Sequence, residues 1–259
     1  MSDRPRRSTL IVVGLIGVCL VAALLAVLDA QGRLRVPRQA DERAAETRRC
    51  APGPNATGAP RNIEQVVDLI NSLPKPVSVA CFVESLDAPL KVFASKSVAS
   101  LQLSTGPEDP RWFIFSLPLI MSVTSDGPGA DLLEMGVLQP GNTRTLLGEL
   151  HMPIQARIEH ALPYDRISKD LGTTCGFFCH QNEVRDPKIH FTEAFVSKSI
   201  RAAAESEVTL DSLRGALSRC KSPSAMPTAN SARCELLQAL LVTGRAQRED
   251  FPADMPVGF

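Results

Sequence analysis

The sequence predicts an α+β fold: an N-terminal transmembrane helix, then a strand-rich antiparallel region and a C-terminal helical hairpin. Three observations carry that expectation. The run from Thr9 to Leu28 is twenty residues without a charge. The middle of the chain alternates apolar and polar residues between turn clusters such as Gly106-Pro107-Glu108-Asp109-Pro110, the period of a half-buried strand. The last third returns to helical spacing.

A run of twenty apolar residues at 1.5 Å per residue crosses a bilayer core of ~30 Å. Arg4, Arg6 and Arg7 precede it, and Leu28-Asp29-Ala30 is a poor cleavage site, so the run reads as a retained anchor rather than a signal peptide. The expected organisation is a cytoplasmic tail over residues 1–8, a transmembrane helix over 9–28, a linker over 29–61 and an extracytoplasmic α+β domain over 62–259. That places the chain as a single-pass protein of a bacterial-type inner membrane. The linker is charged first and then rich in Pro and Gly, without an apolar period.

In the folded part, Asn62 caps a helix whose apolar face is Ile63, Val66, Val67, Ile70 and Leu73, with Gln65 placed as in a capping box. Pro74-Lys75-Pro76 ends it. Val77, Val79, Cys81 and Val83 alternate with Ser78, Ala80, Phe82 and Glu84, which predicts a strand. Further strands are predicted over residues 91–94, 100–103, 112–117, 120–124 and 145–157, with Pro118 at an edge or between two of them. Thr209 starts a helix with Leu210, Leu213, Leu217 and Cys220 on one face. Asn230 or Ser231 starts another, with Cys234, Leu237 and Leu241 aligned, and Gly244 stops it.

Composition narrows the function. Lys and Arg number 28 against 28 Asp and Glu, with one Trp and one Tyr, so neither a basic field nor a stacking platform favours nucleic acid. The expected partners are the membrane, through Thr9 to Leu28, and an envelope protein. No Gly-x-Ser-x-Gly, His-Glu-x-x-His or phosphate-cradling Gly loop occurs, and the expectation is a binding or interaction module of the envelope rather than an enzyme.

Cys19 lies in the apolar run, which leaves Cys50, Cys81, Cys175, Cys179, Cys220 and Cys234. An even number suits an oxidising compartment. Cys220 and Cys234 fall on the facing stripes of the last two helices and are expected to pair. If Cys175 and Cys179 serve another purpose, Cys50 with Cys81 is the natural second disulfide.

The stretch Cys175-Gly176-Phe177-Phe178-Cys179-His180 resembles the haem-attachment site of c-type cytochromes, which use Cys-x-x-Cys-His. It carries one residue more between the cysteines. The resemblance implies one covalently held haem c, with Cys175 and Cys179 as thioether positions and His180 as axial ligand. Met255 of Met255-Pro256 would be the second axial ligand and electron transfer the activity. Two other readings stand beside it. Cys175, Cys179 and His180, with His190 or Glu183, match the donor types of a tetrahedral zinc or thiol-redox site. Residues four apart on a helix also lie ~6 Å apart, within reach of a structural disulfide.

Overall fold

In the computed structural model the chain divides into two compact units, residues 1–48 and 49–259. The described residues are 50–97, 102–167, 183–220 and 229–258, all in the second unit. The predicted anchor at 9–28 lies outside them.

Helix α1 (Ile63–Ser72) begins at Asn62, whose side chain accepts from the Gln65 amide at 2.8 Å. Gln65 reaches back to the Arg61 amide at 2.7 Å, a capping box displaced by one residue. Helix α2 (Val79–Ser85) comes next, capped by Ser78, which accepts from the Cys81 amide. The chain before α1 is stitched to both helices: the Gly53 amide donates to Ser72 Oγ at 3.1 Å, and Cys50 is disulfide-bonded to Cys81.

Strands β1 (Lys91–Ser95), β2 (Arg111–Ser116), β3 (Leu119–Val123), β4 (Leu132–Leu138) and β5 (Arg144–His151) form a consecutive antiparallel meander. A short helix α3 (Leu162–Asp165) packs on β5. Strands β6 (Val184–Arg185) and β7 (Phe195–Lys198) extend the sheet beyond β5. Helices α4 (Leu210–Cys220) and α5 (Ala229–Gln238) complete the helical layer, and α5 runs on as a π-helical turn over Ala239–Thr243. Strand β8 (Gln247–Arg248) closes the chain against β1. Among the described residues the eight strands make one sheet in the order β6-β7-β5-β4-β3-β2-β1-β8.

The expected antiparallel architecture is corrected here. The sheet is mixed, because β8 lies parallel to β1, pairing Lys91 with Gln247 and Val92 with Arg248. After Gly244 the chain re-enters along that edge, where Leu90 N–H donates to the Gly244 carbonyl and Gln247 N–H to the Leu90 carbonyl, both at 2.8 Å. The strand predicted from Val77 to Val83 is instead helix α2. Val77 keeps an isolated bridge to Ile154, and the Ser78 cap turns residues 79–85 into a helix. Among the described residues no helix is long and apolar enough to cross a membrane. The longest α-helix, α4, has 11 residues, about 16 Å against the ~30 Å required. The described domain thus supplies no transmembrane helix for the expected fold or for the single-pass inner-membrane placement, and the run 9–28 on which both expectations rest lies outside it.

The strand period sorts the sheet into two faces. Trp112, Ile114, Leu119, Met121, Val123, Leu133, Met135, Leu146 and Leu150 join the helices in the main core. The opposite face carries a second cluster of Phe93, Phe113, Phe115, Ile120, Leu138, Phe251 and Met255. Ring centroids of Phe93, Phe113 and Phe115 lie 5.2, 4.9 and 5.0 Å from that of Phe251. The C-terminal segment that delivers Phe251 is fastened beyond it. Arg201 Nε donates to the Met255 carbonyl at 2.9 Å, and Asn142 Nδ2 to Asp254 Oδ1 at 2.9 Å.

Candidate functional site

Beside this second cluster the open face holds a cavity of about 120 Å³. Its floor is the centre of the sheet. Gly136 of β4 stands between Ile120 of β3 and Leu147 of β5 in the register. A side chain at 136 would occupy the space that Thr145 Oγ1 enters: an added Cβ would lie 2.7 Å from it. Phe113, Ile120, Leu138 and Leu147 form the walls, and Ile200, Phe251 and Met255 line the rim.

The two ends differ in chemistry. At one end Thr145 is buried and lines the cavity, and its hydroxyl has no hydrogen-bond partner among the described residues. At the other end Glu134 and Glu149 are direct cross-strand partners on β4 and β5. That register puts their Cβ atoms about 5 Å apart, where like charges repel. Arg111 of β2 offsets the first of them. Its guanidinium pairs with Glu134 and donates to Ser122 Oγ at 2.9 Å, with its carbon 4.7 Å from the centre of the Phe113 ring. Behind Ser122, the Gln102 side chain accepts from the Ser122 hydroxyl at 2.8 Å and donates to the Leu132 carbonyl at 2.8 Å. The Arg111–Glu134 pair is thus held from behind.

Glu149 has a different neighbour. His151 Nε2 lies 3.3 Å from its Oε1, while His151 Nδ1 lies 2.9 Å from Asp131 Oδ2. Facing a carboxylate on both nitrogens, the ring serves both contacts as donor only in its imidazolium form. The Glu149 side chain is 16% exposed and that of His151 is 47%, so the histidine sits between solvent and the cavity carboxylate. Burial, and secondly the charge of Glu134, raise the Glu149 pKa above its ordinary value, against the pull of His151. Environments that desolvate a carboxylate and set another beside it are typical of binding and catalytic sites.

Of the residues singled out in the sequence, Cys175, Cys179 and His180 lie outside the described residues. Met255, the remaining member of the haem ligand set, is buried in the second cluster. Glu183 is half-buried and His190 exposed. Among the described residues no group of three or more His, Cys, Asp or Glu is placed to hold a metal ion. Cys50–Cys81 and Cys220–Cys234 are disulfides with Cα atoms 5.4 and 5.7 Å apart.

Arg111, Glu134, Thr145 and Glu149 are not among the residues that sequence patterns single out. The signal available is Glu134 and Gly136 inside the otherwise apolar run Leu132-Leu133-Glu134-Met135-Gly136-Val137-Leu138, and Glu149 between Gly148 and Leu150. Comparison with protein-family models, curated proteins and solved structures gives no match.

Proposed function

We propose that this domain is a binding module that takes a small, largely apolar molecule into the cavity on the open face of its sheet. The observation that supports the reading is a largely apolar cavity with an unpaired hydroxyl, that of the buried Thr145, at its floor. A bound molecule with a hydrogen-bonding group would pair with that hydroxyl. The volume is of the order of the ~150 Å³ engineered cavity that holds benzene, which limits the ligand to about six to ten heavy atoms.

Benzyl alcohol is a suitable probe, followed by thermal unfolding and by chemical-shift changes on β3 to β5. Binding to the native state raises the unfolding temperature by mass action. Leu147→Trp fills the cavity from a half-buried position and should abolish the shift while the variant stays folded. Thr145→Val removes the hydroxyl at nearly constant shape. It should weaken benzyl alcohol binding. Saturating benzyl alcohol with no change in either measurement on the parent protein would refute the cavity as a binding site.

A further inference from the structure

We infer that the cavity selects a small organic cation, an ammonium group carried on an apolar body, with the charge seated between Glu134 and Glu149. This rests on the cavity reading above and adds the charge of the ligand to it.

Charge balance at the polar end decides the sign of the ligand. Arg111 is committed: it pairs with Glu134, donates to Ser122 and stacks on Phe113. Glu149 is not matched in the same way. The imidazole beside it, His151, stands mostly on the solvent side and is shared with Asp131. Arg111 is one guanidinium against three carboxyl groups, Asp131, Glu134 and Glu149, so acidic groups outnumber the fixed cation. Asp131 is the most exposed of the three carboxylates, at 56% against 21% for Glu134 and 16% for Glu149. Solvent therefore screens Asp131, and the unbalanced charge is felt at the two carboxylates that line the cavity. An ammonium there relieves the cross-strand repulsion and donates to carboxylate oxygens. The aromatic faces of Phe113 and Phe251 suit the rest of such a ligand. An anion would meet two carboxylates and one occupied guanidinium, so the site discriminates against it by repulsion as well as by lack of a partner.

The groups facing Glu149 also fix the pH dependence. Glu134 comes from β4, Arg111 from β2, His151 from β5 itself and Asp131 from the turn before β4. Burial and Glu134 already favour the protonated acid, so Glu149 must lose its proton to hold a cation. Cation affinity then falls as pH is lowered through the raised Glu149 value, whereas a neutral ligand keeps its affinity.

Benzylamine, benzyl alcohol and benzoate share one ring and differ in charge. Isothermal titration or ligand-observed NMR on the full chain should give benzylamine binding at least tenfold tighter than benzyl alcohol and no binding of benzoate. Glu149→Gln should cost benzylamine tenfold or more and benzyl alcohol much less, with the fold of the variant checked by far-ultraviolet circular dichroism. Equal affinities for amine and alcohol, or an amine affinity insensitive to Glu149→Gln, would overturn the inference and leave the cavity reading standing. Absence of binding by all three compounds overturns both.

Discussion

At the scale of single residues, the clearest consequence is a carboxylate placed where the fold disfavours its charge. The folded-state pKa of Glu149 is raised by burial and by Glu134 from an ordinary value of 4.5. Below that value both folded and unfolded chains carry the proton and the group contributes nothing to the pH dependence. Above it the unfolded carboxyl ionises first, so the native state holds more protons and stability falls as pH rises through the raised value. The expectation is a component of stability present at acidic pH and lost towards neutrality. Urea unfolding across a pH series should show it, and Glu149→Gln, which cannot ionise, should flatten that component. A parent and variant with parallel stability profiles would mean that the Glu134–Glu149 opposition is relaxed in solution.

At the scale of elements, the Cys220–Cys234 disulfide sets how firmly the helical layer is held. It joins the last residue of α4 to the middle of α5 across 14 residues of sequence. Each helix is short, and isolated helices below ~12–15 residues are marginal in water. Both depend on burying Leu213 and Leu217 from α4 and Leu236 and Leu237 from α5 in the main core. Closing a loop of this length stabilises the native state by ~3 kcal/mol on the chain-entropy estimate. The double variant Cys220→Ser with Cys234→Ser is therefore expected to lose about 2–4 kcal/mol in denaturant unfolding under non-reducing conditions.

The same elements show what a sequence reveals. Helix α1 is legible because a cap and a five-residue apolar stripe agree, and so are the strands around Trp112 and Ile120. Helix α2 is not, since Val79 and Val83 are consistent with a period of two and also lie four apart, and only the Ser78 cap separates the alternatives. Strand β4 is hidden by Glu134 and Gly136, which break its apolar pattern because they form the candidate site. Strand β8 is two residues long, and its parallel pairing to β1 depends on a contact 156 positions distant. The site is illegible for a related reason. Arg111, Glu134, Thr145 and Glu149 meet through the register of four strands, and no spacing along the chain encodes that register.

At the scale of the whole molecule, the question is whether the helix-covered core and the aromatic cluster on the open face stand or fall together. Strand β2 argues that they do. Trp112 and Ile114 enter the main core while Phe113 and Phe115 enter the second cluster, so neither side can lose the strand without the other. Phe251 tests this because it belongs to the second cluster alone and sits at the meeting point of three phenylalanines. Phe251→Ala leaves a cavity and removes that packing, at a cost of about 3–5 kcal/mol for a buried phenylalanine. Trp112, the one tryptophan and fully buried on the far face, is an intrinsic fluorescence reporter for the main core. If the strands couple the two faces, the Trp112 transition in urea should shift by the full cost of the substitution and coincide with the loss of far-ultraviolet ellipticity. Should the C-terminal segment instead open by itself, the Trp112 transition would stay where it is in the parent. A hydrophobic dye would then bind the exposed ring cluster before the main transition, and the open face would be a separate, weaker cooperative unit.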